Sequence, residues 1–240
     1  MLKVENLSYE VIEDGKKQEI LTNVSFEVKD GEMLVITGPN GGGKSTIAKL
    51  LMGIYKASSG KIFLDGQDIS EYPIYERAKA GIGFAFQQPP RFKGMTVRRM
   101  LNLAAGTELP KHICCSLLSR VGLCAEEYLE REIDATLSGG EMKRIEIAGV
   151  LVKKHKLCIF DEPEAGIDLW SFAMLVEEFE KIHTNKKESL LLISHQERII
   201  QMADRIMIID NGEVKTCGPA SEIMPELTGE AMTHPYCMKK

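Results

Sequence analysis

Short apolar runs alternate with segments of helical spacing along most of this chain. The helix-period segments cover residues 44–53, 138–154, 169–183 and 196–203. The apolar runs are VSFEV (24–28), EMLVIT (32–37), KIFLDG (61–66), GIGFAF (81–86), KLCIFD (156–161), SLLLISH (189–195) and RIMIID (205–210). Strands that alternate with helices predict a mostly parallel sheet with helices on both faces.

The beginning of the chain and its middle break this alternation. Residues 2–37 and 61–66 contain successive strand-like runs joined by short turns, which predicts an antiparallel sheet. From residue 88 to 137 the strand pattern disappears, and helices are predicted to begin at Thr96 and Pro110.

The predicted organisation is therefore one α/β domain over residues 1–240. Residues 1–87 and 138–240 form a mixed α/β core with an N-terminal antiparallel β subdomain. Residues 88–137 form a helical insertion subdomain.

Charge and hydropathy narrow the range of partners. The 240 residues include 30 lysines and arginines and 35 acidic residues, a formal net charge of −5. This balance gives no general field that attracts nucleic acid, so we expect no nucleic-acid partner. The apolar runs are far shorter than the roughly 18 residues of a membrane helix, so no direct membrane insertion is expected. The N-terminus lacks a signal-peptide pattern, which predicts a cytoplasmic location.

Six cysteines are scattered through the chain without a CxxC pair. In a protein with this expected location, they are predicted to be reduced thiols rather than disulfides. The alternative is a ligand role, either for the group around Cys114 or for Cys237 in labile metal or cluster chemistry. The cysteines are Cys114, Cys115, Cys124, Cys158, Cys217 and Cys237.

The sequence GPNGGGKST (38–46) follows the strand MLVIT and begins a helical segment. Its G-x-x-x-x-G-K-[ST] spacing lets backbone N–H groups surround phosphates at a helix N-terminus. Lys44 is predicted to bind the β- and γ-phosphates, and Ser45 to ligate Mg²⁺. The alternative is a glycine-rich turn that contains a lysine by chance. The predicted nucleotide-binding residues are Gly38, Asn40, Gly41, Gly42, Gly43, Lys44, Ser45 and Thr46.

Two carboxylates follow the apolar run that ends at residue 161. Asp161 stands at the C-terminal end of the predicted strand, where α/β sheets bind ligands, and Glu162 comes next. Asp161 is predicted to hold Mg²⁺ through water. Glu162 is predicted to orient, or accept a proton from, the water that attacks the γ-phosphorus. The alternative is an acidic pair that caps the turn before Pro163.

A second glycine-containing segment, LSGGE (137–141), stands where an amphipathic helix should begin. A helix N-terminus of this kind binds anions, although no lysine precedes these glycines. Ser138 and Glu141 also form a capping-box pattern, which is compatible with anion binding.

Six motifs in this order resemble the ATP-binding-cassette (ABC) ATPase family over nearly the whole chain. The resemblance implies the ABC-type P-loop ATPase fold and Mg²⁺-dependent hydrolysis of ATP to ADP and phosphate. It also implies a head-to-tail, ATP-dependent dimer, in which Ser138, Gly139 and Gly140 bind the ATP held by the other copy. The motifs are GPNGGGKST, the glutamine of FAFQ (84–87), LSGGE, CIFDEP (158–163), AGID (165–168) and SH (194–195).

The same resemblance assigns roles to further residues by motif position. Besides Glu162, it implies catalytic roles for Gln87, which contacts Mg²⁺ or the attacking water, and for His195, which contacts the γ-phosphate. Asp168 is implied to lie at the dimer interface. Tyr9 is implied to stack on adenine, with ordinary packing at a strand end as the alternative. The implied metal ligands are Ser45, Gln87 and Asp161.

Within the ABC family, the helix after LSGGE is similar to that of the SufC-type ATPases of iron–sulfur cluster assembly. The stretch LSGGEMKRIEIAGVL carries Glu141, Lys143, Arg144 and Glu146, and GFAFQQP is also similar to the SufC sequence. This resemblance implies an ATPase whose ATP-dependent dimerisation rearranges an assembly scaffold.

The partner implied by that resemblance is a SufB- or SufD-like scaffold protein, docked around residues 88–100 of the helical subdomain. The sequence there, QPPRFKGMTVRRM, mixes apolar and basic residues, as expected for an interface with an apolar centre and a charged rim. The alternative is a solvated loop and helix face. Pro163 is instead typical of transporter ATPases, and Leu169 and Trp170 stand where SufC proteins carry an acidic residue. The alternative function is the nucleotide-binding subunit of an ABC membrane transporter.

Overall fold

Two β-sheets form the frame of the molecule in a computed structural model, which describes residues 1–13 and 15–233. A four-stranded sheet has the order β2-β1-β4-β5, and a six-stranded sheet has the order β10-β9-β3-β8-β7-β6. The described strands are β1 (Leu2–Glu13), β2 (Lys16–Val28), β3 (Met33–Thr37), β4 (Ser59–Leu64), β5 (Gln67–Asp68), β6 (Ile82–Ala85), β7 (Leu157–Asp161), β8 (Ser189–Ile193), β9 (Arg205–Asp210) and β10 (Glu213–Pro219).

The six-stranded sheet is mostly parallel, as the alternating pattern predicts. Strands β9, β3, β8, β7 and β6 are parallel, and only β10 at the edge runs antiparallel to its neighbour. Strands β3, β7 and β8 are buried at every position, which requires other elements on both faces of the sheet. Because these strands are parallel, their carboxyl ends lie at one edge, where ligands bind in such sheets.

One sequence prediction about the N-terminal region is wrong. The four-stranded sheet is antiparallel, as expected, but β3 does not belong to it. Strand β3 instead pairs in parallel with β8 and β9. Its sequence MLVIT has no polar face, so it is stable only in a sheet covered on both sides.

Helices cover both faces of the six-stranded sheet. The side chain of Thr96 accepts a hydrogen bond from the Arg99 N–H, and Pro110 precedes α4, so two helices begin where the sequence predicts. The described helices are α1 (Lys44–Met52), α2 (Ile74–Ala80), α3 (Val97–Ala105), α4 (Lys111–Arg120), α5 (Ala125–Tyr128), α6 (Gly139–Leu151), α7 (Leu169–Thr184), α8 (Glu197–Gln201) and α9 (Ala220–Thr233).

The two faces of the sheet belong to different hydrophobic clusters. Leu34 and Ile36 of β3 pack with α1 and the antiparallel sheet, whereas Val35 packs with α6 and α7. Leu101 of α3 and Leu118 of α4 belong to the second of these clusters. The helical segment therefore shares a hydrophobic cluster with the sheet, and α3 and α4 contact it through α6 and α7. Its division as a subdomain of residues 88–137 remains a prediction.

No helix within the described residues is long and apolar enough to cross a membrane. The five cysteines of the described residues form no disulfide, and Cys114 and Cys158 are buried. Over the same residues, no group of three or more His, Cys, Asp or Glu side chains is arranged to hold a metal ion. Cys237 lies outside the described residues, so its predicted role stays a prediction.

Candidate functional site

The loop after β3 approaches its neighbours so closely that larger residues do not fit. Gly38 has φ of 132°, and a Cβ there would lie 2.0 Å from the Ile209 carbonyl oxygen. Gly43 has φ of 103° at the position before α1. Both values are in the region that glycine adopts readily, so the loop can curl around the N-terminus of α1.

Lys44 lies at the start of α1 with its ammonium group turned into this loop. Its Nζ donates to the carbonyl oxygens of Gly38 and Pro39, each at 2.8 Å. An ammonium has three N–H donors, so these two bonds leave one for a phosphate oxygen. Burial lowers the pKa of Lys44, while the nearby Glu162 and Asp161 carboxylates raise it.

Asp161 ends the fully buried strand β7 and reaches the start of α1. Its Oδ1 accepts a 3.0 Å hydrogen bond from Ser45 Oγ. Its Oδ2 is buried without a hydrogen-bond partner, and burial raises the pKa of this carboxyl group. A buried carboxylate oxygen beside a hydroxyl oxygen suits Mg²⁺, which prefers oxygen ligands. Ser45 and Asp161 therefore fit the predicted metal role.

Gln87 and Glu162 contact each other at the mouth of the loop. Gln87 Nε2 donates to Glu162 Oε2 at 2.8 Å. Glu162 has φ of 45°, an uncommon value for a residue with a side chain, and its N–H donates to the Ile193 carbonyl oxygen at 3.0 Å. Such strained conformations concentrate at functional sites, where the surrounding structure maintains them.

His195 follows β8 and faces the same region. Burial lowers its pKa, and the positive charge of Lys44 lowers it further, so the neutral imidazole is favoured. The main-chain N–H of His195 donates to Glu164 Oε1, with 3.4 Å between nitrogen and oxygen. The same oxygen accepts a 2.7 Å hydrogen bond from Ser194 Oγ. Glu164 thus supports the His195 loop. Sequence reasoning missed this role, and the second acidic residue in DEPE was the signal available.

These residues surround one cavity of about 480 Å³. It brings together the glycine loop, Lys44, Gln87, Glu162 and His195. A larger depression of about 740 Å³ lies at the C-terminal end of α7, where helix carbonyls disfavour anions. The residues lining the smaller cavity are Ile20, Asn40, Gly41, Gly43, Lys44, Ser45, Thr46, Gln87, Glu162 and His195.

The LSGGE segment forms a different surface. Ser138 caps α6, and the reciprocal bonds of the capping box are present: Ser138 Oγ accepts from the Glu141 N–H, and Glu141 Oε2 accepts from the Ser138 N–H. Gly140 is buried against the Gly166 carbonyl oxygen, 2.4 Å from where a Cβ would lie. Ser138 and Gly139 are exposed, and no LSGGE residue lines the cavity that contains Lys44.

Tyr9 and Asp168 have clear structural contacts of their own. The Tyr9 ring stacks on Tyr55 with centroids 5.2 Å apart, and it does not line the cavity, whereas Ile20 of β2 does. Asp168 caps α7 by accepting hydrogen bonds from the N–H groups of Trp170 and Ser171. Adenine stacking by Tyr9 and a dimer-interface role for Asp168 remain predictions.

Residues 21–165, more than half of the chain, match the family model described as ABC transporter. The chain belongs to the ABC transporter family. It is 40% identical over 231 residues to an uncharacterized ABC transporter ATP-binding protein of Methanocaldococcus jannaschii, which covers 93% of this chain and 90% of that protein. It is 33% identical over 231 residues to the energy-coupling factor transporter ATP-binding protein EcfA1 of Streptococcus thermophilus, with 93% and 81% covered.

The fold of this ABC protein also matches a solved structure. A dimeric ATP-binding cassette in a post-hydrolysis state, bound to ADP and Pi, has a TM-score of 0.82 and 22% sequence identity to it. The match covers 92% of this chain and 99% of that one. The predicted ABC fold is confirmed, and the chain is an ATP-binding cassette. Both relatives are named as transporter ATP-binding proteins, which favours the transporter alternative over the SufC-type interpretation.

Glu146 of α6 is a buried carboxyl group with a raised pKa. Its Oε1 accepts a 2.9 Å hydrogen bond from the Phe86 N–H, and its Oε2 is buried without a partner. Burial raises the pKa of Glu146 to about 7, although the Phe86 bond and the Lys143 ammonium act in the opposite direction. The proton is therefore bound more tightly in the folded state than in the unfolded state.

We expect Glu146 to make the free energy of unfolding fall as pH rises from about 4.5 to about 7. The stabilisation is complete below the unfolded pKa and is lost as pH passes the folded pKa, a change of up to about 3 kcal/mol. Denaturant unfolding at pH 5 and pH 8 measures it. Glu146→Gln should lack the Glu146 contribution to this pH dependence. Its free energy of unfolding should therefore fall less than that of wild type between pH 5 and pH 8. An identical pH dependence in the two proteins would contradict the assignment.

Proposed function

We propose that this ABC protein is the ATP-hydrolysing subunit of a membrane transporter, acting as an ATP-closed dimer that moves a membrane partner. The observation that carries the proposal is the convergence of Lys44, Glu162, Gln87 and His195 on one cavity behind a glycine loop. The names of the relatives support the transporter assignment. The cytoplasmic location remains part of this proposal.

The residues of the cavity divide the chemistry of hydrolysis among them. The glycine-loop N–H groups and Lys44 bind the phosphates of ATP. Ser45 and Asp161 would hold Mg²⁺, which when bound would neutralise charge on those phosphates. Glu162 accepts the proton of the attacking water, while its 2.8 Å bond to Gln87 fixes the direction of its carboxylate. Neutral His195 donates a hydrogen bond to the γ-phosphate.

The partner copy completes the ATP site in this proposal. Ser138 and Gly139 are exposed at the N-terminus of α6 and do not line their own cavity. The Ser138 N–H is already bonded to Glu141, but the Ser138 hydroxyl, the Gly139 N–H and the helix dipole suit the γ-phosphate of a nucleotide held by a second copy. Asp168 and Trp170 are also exposed, and Gly166 just before them lies against Gly140 of the LSGGE segment. ATP binding thereby closes the dimer, and hydrolysis opens it.

The second candidate function is a SufC-like ATPase that rearranges an iron–sulfur assembly scaffold of SufB or SufD type. The observation that favours it is the charged character of α6, in which Lys143 and Arg144 are buried. Transport cassettes typically carry glutamines in this stretch, whereas the sequence here resembles the assembly ATPases. In either case the partner is proposed to dock around residues 88–100, where Phe92 is exposed near Arg91.

Copurification from native cells distinguishes the two partners. Tagged wild type and Lys44→Ala are isolated without oxygen from both the soluble fraction and detergent-solubilised membranes. A transporter subunit retains a multi-span membrane protein in the membrane fraction, and its substrate uptake depends on Lys44. A SufC-like subunit retains a soluble scaffold whose iron content falls in Lys44→Ala. Recovery of the soluble scaffold alone would reject the transporter assignment.

A further inference from the structure

Helix α6 carries a lysine whose side chain is almost completely buried. Lys143 is 1% exposed. Its Nζ donates to the Asp161 carbonyl oxygen at 2.8 Å and also to the Phe86 carbonyl oxygen. Burial lowers the pKa of Lys143, and the surrounding carboxylates Glu146 and Asp161 raise it. A buried ammonium needs such partners because desolvation disfavours its charge.

Glu146 lies on the same face of α6, three residues after Lys143. Its Oε1 accepts the 2.9 Å hydrogen bond from the Phe86 N–H. Both main-chain polar groups of Phe86 are therefore held by one helix, the N–H by Glu146 and the carbonyl by Lys143. This pair fixes the peptide groups on both sides of a single residue.

The residues held in this way immediately precede two residues of the cavity. Phe86 precedes Gln87, and Asp161 precedes Glu162. The side chains of Gln87 and Glu162 are joined by their own 2.8 Å bond. Lys143 thus bridges the two backbone segments whose next residues, Gln87 and Glu162, meet at the cavity.

The same helix begins at Ser138 and the exposed Gly139, in the segment proposed to bind the ATP of a second copy. Lys143 and Glu146 follow within about two turns of the helix. Their two side chains therefore connect the N-terminal segment of α6 with the backbone beside Gln87 and Glu162.

We propose that Lys143 and Glu146 are positioning residues that make hydrolysis at a chain's own cavity depend on what its LSGGE segment binds. The inference rests on the proposed ATPase function. It adds a route by which the two ATP sites of a dimer are coupled. Lys143 and Glu146 act through Gln87 and Glu162 and do not touch the nucleotide.

Arg77 and Glu178 are buried charges that do not line the cavity. Arg77 donates to the carbonyl oxygens of Leu50 and Leu51 at the end of α1. Glu178 of α7 is 3% exposed and is paired with Arg120. Glu178 therefore offers a matched control: a buried glutamate whose loss affects stability alone.

The first test compares Glu146→Ala, Glu146→Gln and Glu178→Ala by steady-state ATP hydrolysis and thermal unfolding. Loss of an anchored hydrogen bond near the reacting groups should lower kcat of Glu146→Ala about 10- to 100-fold, with KM for ATP within about threefold. Glu146→Gln retains an acceptor for the Phe86 N–H and should retain most of kcat. Glu178→Ala should lower Tm and leave kcat near wild type.

A double-mutant cycle with Gln87→Ala separates positioning from general destabilisation. If Glu146 acts through Gln87, the Glu146→Ala change should have little further effect on kcat in the Gln87→Ala background. Additive losses would overturn the proposal, as would equal losses of kcat in Glu146→Ala and Glu178→Ala.

Amide hydrogen exchange of the nucleotide-free protein tests the positioning without relying on turnover. Peptides that cover residues 84–88 and 159–163 should exchange faster in Glu146→Ala than in Glu178→Ala at matched distance from Tm. If the wild type hydrolyses no ATP but the exchange is faster in Glu146→Ala, the proposed ATPase function is rejected. The positioning of residues 86 and 161 by α6 is then still supported. Unchanged exchange in an active protein would reject the anchoring alone.

Discussion

Glu162→Gln should stop ATP turnover while leaving ATP affinity close to that of wild type. The carboxylate is replaced by an amide that cannot accept a proton, so we expect kcat to fall about 10²- to 10⁴-fold. The phosphate contacts proposed here come from the glycine loop and Lys44, which the substitution does not touch. Phosphate release and equilibrium binding of a fluorescent ATP analogue measure the two effects separately.

Glu164→Gln is the matched control for this prediction. Glu164 is a neighbouring carboxylate that bonds to Ser194 and the His195 N–H rather than to Gln87. Its amide form should reduce kcat much less, because it supports a loop and accepts no proton from water. Turnover of Glu162→Gln at the wild-type rate would refute the proton-acceptor role.

Ser138→Arg should abolish hydrolysis without preventing a single chain from binding ATP. The substitution places a large cation at the exposed N-terminus of α6, removes its cap and blocks close approach of a second copy. We expect a loss of at least about 100-fold in kcat, comparable to the removal of one preorganised anion donor. ATP binding should persist because Ser138 does not line the cavity of its own chain.

Ser119→Arg is the matched control, since Ser119 is an exposed serine near the end of α4. It should retain wild-type kcat and ATP affinity. An activity of Ser138→Arg equal to that of Ser119→Arg would remove the LSGGE segment from the catalytic account.

The elements nearest the nucleotide site could be predicted because their signals are local. The glycine spacing of residues 38–46 requires a tight turn between a strand and a helix, and the structure has that turn. Ser138 and Glu141 stand three residues apart, so their reciprocal capping follows from the helix geometry itself.

The contacts that sequence reasoning missed join residues far apart in the chain. The bond of Phe86 to Glu146 spans 60 positions, and Ser194 to Glu164 spans 30. Local pattern cannot reveal such pairs because they depend on which strands are neighbours in the sheet. The stacking of Tyr9 on Tyr55 was missed for the same reason. Strand β3 was assigned to the wrong sheet because an apolar strand resembles its neighbours in sequence whichever sheet it joins.

The central claim is that two copies share each ATP, and the mass of Glu162→Gln in solution tests it most directly. Multi-angle light scattering should report a monomer mass without nucleotide and twice that mass with ATP and Mg²⁺, because the unhydrolysed γ-phosphate bridges Lys44 of one copy and the LSGGE segment of the other. The double variant with Ser138→Arg should stay monomeric under the same conditions. An unchanged monomer mass of Glu162→Gln at saturating ATP would contradict the account.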